Sequence, residues 1–141
     1  MSAVDPGDPG DPVNPAGPTR HLTVAEVTDI ARIAFGGTAP ETREPGLLAS
    51  AVHRPRARML GVAAYTDLYE QAAALLHALA ANHPFVDGNK RTAWLSAATF
   101  LAVNGVDLGG CDQAAAYDLV IDVASGEESG LGVIAARLRA L

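Results

Sequence analysis

Between residues 68 and 79 apolar side chains return every three or four positions. Leu68, Ala72, Leu75, Leu76 and Leu79 fall on one stripe of a helix. Thr66 or Asp67 can cap its start. Pro84 disfavours helical backbone in the residue before it, so the helix is predicted to end near Asn82. The same period recurs elsewhere. In residues 22–35, Thr23 and Glu26 form a capping-box pattern, Val27, Ile30, Ala31 and Ala34 share a face, and Gly36 with Gly37 stops the run. Residues 45–52 read as a short second helix, ended by "HRP". A helix from Gly88 to Val103 has Leu95, Ala98 and Leu101 among its apolar positions, and "NG" at 104 and 105 supplies a left-handed cap. Residues 112–125 and 130–141 give two more helices, split by Gly126. Residues 53–65 lack a helical face and read as a loop or flap. No convincing alternating strand pattern is present. The expected fold is all-α, a compact domain of about six helices.

The chain has 141 residues, enough for a single sizeable core. Residues 1–19 are rich in Pro, Gly and Asp and bury too little apolar surface to offset their ordering entropy. They are expected to be a disordered tail, with the domain spanning 20–141. The tail has no basic region or apolar run of a signal peptide, and no stretch has the length of a membrane span, so the expected location is the cytoplasm. The single cysteine, Cys111, excludes an intrachain disulfide and reads as an inert filler. A net charge of −6 argues against direct nucleic-acid binding.

Between the two strongest helical runs stands "HPFVDGNKR", residues 83–91. The segment feeds a helix N-terminus, where free N–H groups and the helix dipole form an anion site. Gly88 lets the backbone turn closely, as around a phosphate. Arg91 can pair with phosphate oxygens from the first turn. Asp87 can hold Mg²⁺, which usually shares its shell with substrate phosphates. Histidine is suited to deprotonate a hydroxyl near neutrality, which makes His83 the candidate base. Taken singly, each residue has a plainer reading: a helix stop, an N-cap, a solvated charge. Taken together, they make a phosphoryl or nucleotidyl transfer site.

The residue order matches the Fic signature HPFx(D/E)GN(G/K)R at every specified position. Residues 21–141 thus resemble the Fic/Doc, or Fido, family. "GLLASAVHRP" (46–55) and "FLAVNG" (100–105) look like its death-on-curing, or Doc, toxin branch. The resemblance implies His83 as catalytic base, Asp87 as Mg²⁺ ligand and Arg91 as phosphate contact. Gly88, Asn89 and Lys90 would line the anion loop, and Phe85 would anchor it. AMP-transferring relatives carry a second glycine and a second arginine where this chain has Lys90 and Trp94, changes it shares with Doc. Gly88 and Pro84 instead follow the general Fic pattern. The implied activity is a protein kinase using Mg²⁺ and ATP. The implied protein substrate is a target such as elongation factor Tu, and the implied restraint a cognate antitoxin. AMP transfer and a non-catalytic binding module stay open as alternatives.

Other residues read more plainly. The segment TDLYE (66–70) approaches a self-inhibiting helix pattern, yet Trp94 stands in place of the arginine its glutamate would pair with, so Glu70 reads as surface charge. His21, His53 and His77 read as satisfied or exposed histidines, and Arg54, Arg56 and Arg58 as a solvated loop whose functional alternative is docking of an acidic target.

Overall fold

The helical periods become six α-helices among the described residues of a computed structural model, which describes residues 13–14, 17–38 and 40–141. These are α1 (Val24–Ala34), α2 (Pro45–His53), α3 (Leu68–Asn82), α4 (Asn89–Val103), α5 (Gln113–Ser125) and α6 (Leu131–Ala140). Two minimal hairpins accompany them: β1 (Val13–Asn14) with β2 (Gly17–Pro18), and β3 (Arg58–Met59) with β4 (Val62–Ala63). The fold is all-α. Residues 1–12 and 15–16 of the expected tail lie outside the described residues. Thr19 and His21 are buried, and His21 stacks on Phe100 with ring centroids 5.9 Å apart.

Local chemistry sets the helix starts. Thr23 and Glu26 close the expected capping box on α1. Asp67, rather than Thr66, caps α3 by accepting from the N–H groups of Tyr69 and Glu70. Asp112 does the same for α5. At the end of α4 the left-handed residue is Gly105, φ 97°. Its neighbour Asn104 is buried, and its amide bonds the backbone N–H and C=O of Arg20 at 2.8 and 2.9 Å, which pins the start of the domain to α4.

Helix α3 corrects one expectation. Its buried surface is no single stripe, since Gln71, Ala72, Ala73, Ala74, Leu75 and Leu76 are all at most 1% exposed. It is the central helix, and α2, α4, α5 and α6 pack around it. Small side chains permit this, because alanines let neighbouring backbones approach without leaving voids. Helix α4 corrects another. Leu95 and Ala98 are only half-buried, whereas Thr92, Ala93, Ser96 and Ala97 are fully buried beside Phe100 and Leu101. The inward face combines small side chains in the first half of the helix with Phe100 and the expected Leu101 in the second.

Residues 53–65 are more ordered than a loop. His53 is the last residue of α2, and Arg54–Arg56 form one turn of 3₁₀ helix. The β3–β4 hairpin follows, turning through Leu60 (φ 52°) and Gly61 (φ 78°). Two-residue strands are too short to display alternation, so the sequence shows no strand there. The arginines are half-buried and engaged: Arg54 donates to Nδ1 of His77 at 2.8 Å, and Arg58 to the carbonyl of Gly61 at 2.9 Å.

Burial first, and the Arg54 guanidinium second, lower the His77 pKa below the ordinary 6.5. The unfolded chain then takes up this proton at a higher pH than the folded one does. The contribution of His77 to stability is therefore complete above pH 6.5 and is lost as pH falls below that value. Thermal unfolding followed across this range is expected to show a falling midpoint in the wild type and a flatter profile in His77→Gln. Equal slopes in the two proteins would assign the acid sensitivity to another group.

Candidate active site

Helix α3 ends on His83, which adopts the left-handed conformation, φ 48° and ψ 60°. Few non-glycine residues accept this backbone, and histidine is among those enriched there. The turn places the exposed imidazole at a helix end rather than along a helix face. Pro84 and Phe85 behind it are buried, Phe85 at 1% exposure, so the loop is anchored in the core. A further tie comes from a segment with no sequence signal. Phe85 forms an isolated antiparallel bridge with Thr42, Val86 N–H donates to the Glu41 carbonyl at 2.9 Å, and Arg43 N–H donates to the Pro84 carbonyl at 2.8 Å. The loop is held on both sides before α4 begins.

Asn89 closes the loop from inside. Its side-chain oxygen accepts from Phe85 N–H at 3.0 Å, and its amide nitrogen donates to the Phe85 carbonyl at 2.9 Å. The residue is 9% exposed. Its amide thus braces the loop, and its second N–H and its backbone N–H remain for an anion. Asp87 is exposed, and its Oδ1 accepts from Gly88 N–H at 2.7 Å, which orients the carboxylate. Gly88 caps α4 at φ 74° and no side chain bonds the first N–H groups of that helix. These groups and the helix dipole therefore face the loop without competition from a capping side chain.

One cleft of about 1030 Å³ collects the expected residues: His83, Asp87, Gly88, Asn89, Lys90 and Arg91 all line it, with Trp94 beside them. The opposite wall, unannounced by any motif, comes from α5 and is uncharged: Gln113, Ala116, Tyr117, Val120 and Ile121. The end of α1 forms the third side, through Ala34 and Phe35. Arg91 reaches across to it, Nη1 donating to the Ala34 carbonyl at 3.0 Å. A guanidinium has five N–H donors, so this bond leaves others for a ligand. Glu70 lies in the first turn of α3, about 20 Å along the helix from His83 at 1.5 Å per residue. It takes no part in the cleft.

Among the described residues no three His, Cys, Asp or Glu side chains gather to hold a metal. A cation beside Asp87 would complete its shell with ligand oxygens and water. Mg²⁺, a hard cation that keeps waters and is commonly held by one or two carboxylates plus phosphates, fits a lone exposed carboxylate next to an anion loop.

The arrangement unites an imidazole, a carboxylate, a helix N-terminus and a guanidinium. The model of the Fic/DOC family matches residues 21–101, more than half the chain, with the loop inside the match. The chain belongs to the Fic/DOC family. It is similar to "Toxin Doc" of Mycolicibacterium smegmatis, 49% identical over 121 residues, covering 85% of this chain and 92% of that protein. It is also similar to "Protein kinase doc" of Escherichia phage P1, 38% identical over 112 residues, covering 78% and 86%. Within the Fic/DOC family these relatives place the chain in the Doc-like branch.

Proposed function

We propose that this chain is a Doc-like toxin that transfers the γ-phosphate of ATP to a hydroxyl of a target protein. One observation carries the reading: His83, Asp87, Arg91 and the α4 N-terminus share one cleft, and Lys90 and Trp94 line the same cleft. At those last two positions AMP-transferring relatives place a glycine and an arginine. Lysine crowds the backbone where a diphosphate would lie, and an indole offers no guanidinium to grip distal phosphates.

In this reading the His83 imidazole accepts the proton of the target hydroxyl as its oxygen attacks the γ-phosphorus, and the bond to ADP breaks. The α4 N-terminus stabilises the charge that develops on the transferred group, and Arg91 binds the nucleotide phosphates. Asp87 would hold Mg²⁺, which would supply charge neutralisation for the phosphates. Elongation factor Tu, modified at a threonine so that translation stalls, is the target suggested by the resemblance to Doc. A cognate antitoxin, rather than an internal helix, restrains the activity, in keeping with the position of Glu70 outside the cleft. The cytoplasm is the proposed location, and no helix among the described residues is long and apolar enough to cross a membrane. The net charge of −6 supports a protein target over nucleic acid.

The test is incubation with elongation factor Tu and ATP labelled at either the α or the γ phosphate. Only γ label is expected on the target, and α label there would replace the kinase with an adenylyltransferase. Lys90→Gly is expected to lower γ transfer, and Lys90→Gly with Trp94→Arg to shift the ratio further toward α transfer. Unchanged γ transfer in the double variant would remove these two positions from the choice of reaction.

A further inference from the structure

Helix α1 ends against the phosphate loop. Phe35, its C-cap residue, is 40% exposed and lines the cleft, so it is no ordinary core filler. Its ring sits on the α-carbon of Gly88: a Cβ built there would lie 1.8 Å from Cε2 of Phe35. No side chain at 88 is compatible with the ring in this place. Beyond Phe35 the chain leaves through Gly36 and Gly37, at φ 80° and 128°, with nothing within 4 Å of either Cβ position. The end of α1 is closed by its own bonds, Gly36 and Gly37 N–H donating to the Ile33 and Arg32 carbonyls, and it meets the loop through the ring on Gly88 and Arg91 on the Ala34 carbonyl. That carbonyl belongs to the last turn of α1, at the negative end of its dipole, where a guanidinium is favoured.

We propose that Phe35 is a positioning residue for the phosphate site. Its ring clamps the Gly88 turn and seats the Ala34 carbonyl that orients the Arg91 guanidinium. Phe35 and Gly88 are then a matched pair, in which the glycine makes room for the ring and the ring rigidifies the glycine. The proposal rests on the kinase reading, because it is the nucleotide phosphates that Arg91 is being oriented to bind. Arg91 contacts them in the bound state as well as during transfer, so its disorder acts on binding more than on the chemical step. His83 is positioned from α3 and does not depend on the ring.

The experiment uses the full chain with Mg-ATP and its protein target. Phe35→Ala is expected to raise KM for ATP about tenfold, the loss of one charge-assisted orienting bond, with kcat changed less than about threefold. Phe35→Tyr, which keeps the ring, is expected to recover most of the affinity. Gly88→Ala alone is expected to lower the unfolding temperature, and in the Phe35→Ala background that loss should shrink, since the clash is relieved. An unchanged KM in Phe35→Ala, or a fall in kcat with KM unaltered, overturns the proposal. So does a Gly88→Ala effect that is the same with and without the ring. Should Phe35→Ala fail to fold, Phe35→Leu carries the same comparison. Failure of the wild type to bind Mg-ATP would instead overturn the kinase reading, and the unfolding cycle would still judge the Phe35–Gly88 contact on its own.

Discussion

His83→Ala is expected to abolish phosphate transfer and toxicity, a loss of about 10²- to 10⁴-fold, the usual contribution of a positioned general base. The fold should survive. The imidazole is exposed, and the loop is anchored instead by Phe85, Asn89 and the bridge to Thr42. One complication is the backbone at φ 48°, which alanine tolerates less well than histidine. His83→Asn is the matching control, because asparagine accepts the left-handed conformation and supplies no base of comparable strength. Both variants should show native helicity, and both should be inactive in γ-label transfer and harmless on expression. A His83→Asn protein that stays toxic at equal expression would sink the assignment of His83 as base.

Asp87→Ala is expected to produce the next largest loss. A metal site deprived even of a supporting partner loses about 10- to 100-fold in affinity or activity. Removal of the one carboxylate proposed to hold Mg²⁺ should do at least as much. Asp87 also has a structural task, since its Oδ1 accepts the Gly88 N–H at 2.7 Å. Asp87→Asn separates the two roles: the amide keeps an acceptor for Gly88 but gives up the charge that Mg²⁺ prefers. Titration of Mg²⁺ in the transfer assay should show a strongly weakened dependence in both variants. Wild-type Mg²⁺ dependence in Asp87→Asn would leave Asp87 as an orienting acceptor for the turn and nothing more.

The family assignment was already legible in nine consecutive residues, 83–91, because the chemistry of that loop needs its residue types in one fixed order. The roles within the loop were less so. Asn89 has the composition of an anion-loop residue, and its amide also braces both backbone groups of Phe85, a bond set visible only when the loop is closed. Arg91 reads as a phosphate contact, and its bond to Ala34 joins residues 57 positions apart. Phe35 reads as the last apolar position of a helix, with no hint that Gly88 lies under its ring. The α5 wall, from Gln113 to Ile121, carries no motif at all.

Local features of the chain follow from interactions within a few residues and are therefore written in the sequence. Such are the capping box of Thr23 and Glu26, the Asp67 and Asp112 caps, the stop before Pro84 and the left-handed turn at Gly88. Which face of each helix is buried is a different matter. Thr92, Ala93, Ser96 and Ala97 belong to the inward face of α4 in preference to Leu95, and α3 is buried all round, because small side chains allow close helix approach and hydropathy does not register that advantage. The cleft, too, is a product of tertiary structure. It exists because α1, α4 and α5 meet around one loop, and no local pattern encodes a meeting of segments so far apart along the chain.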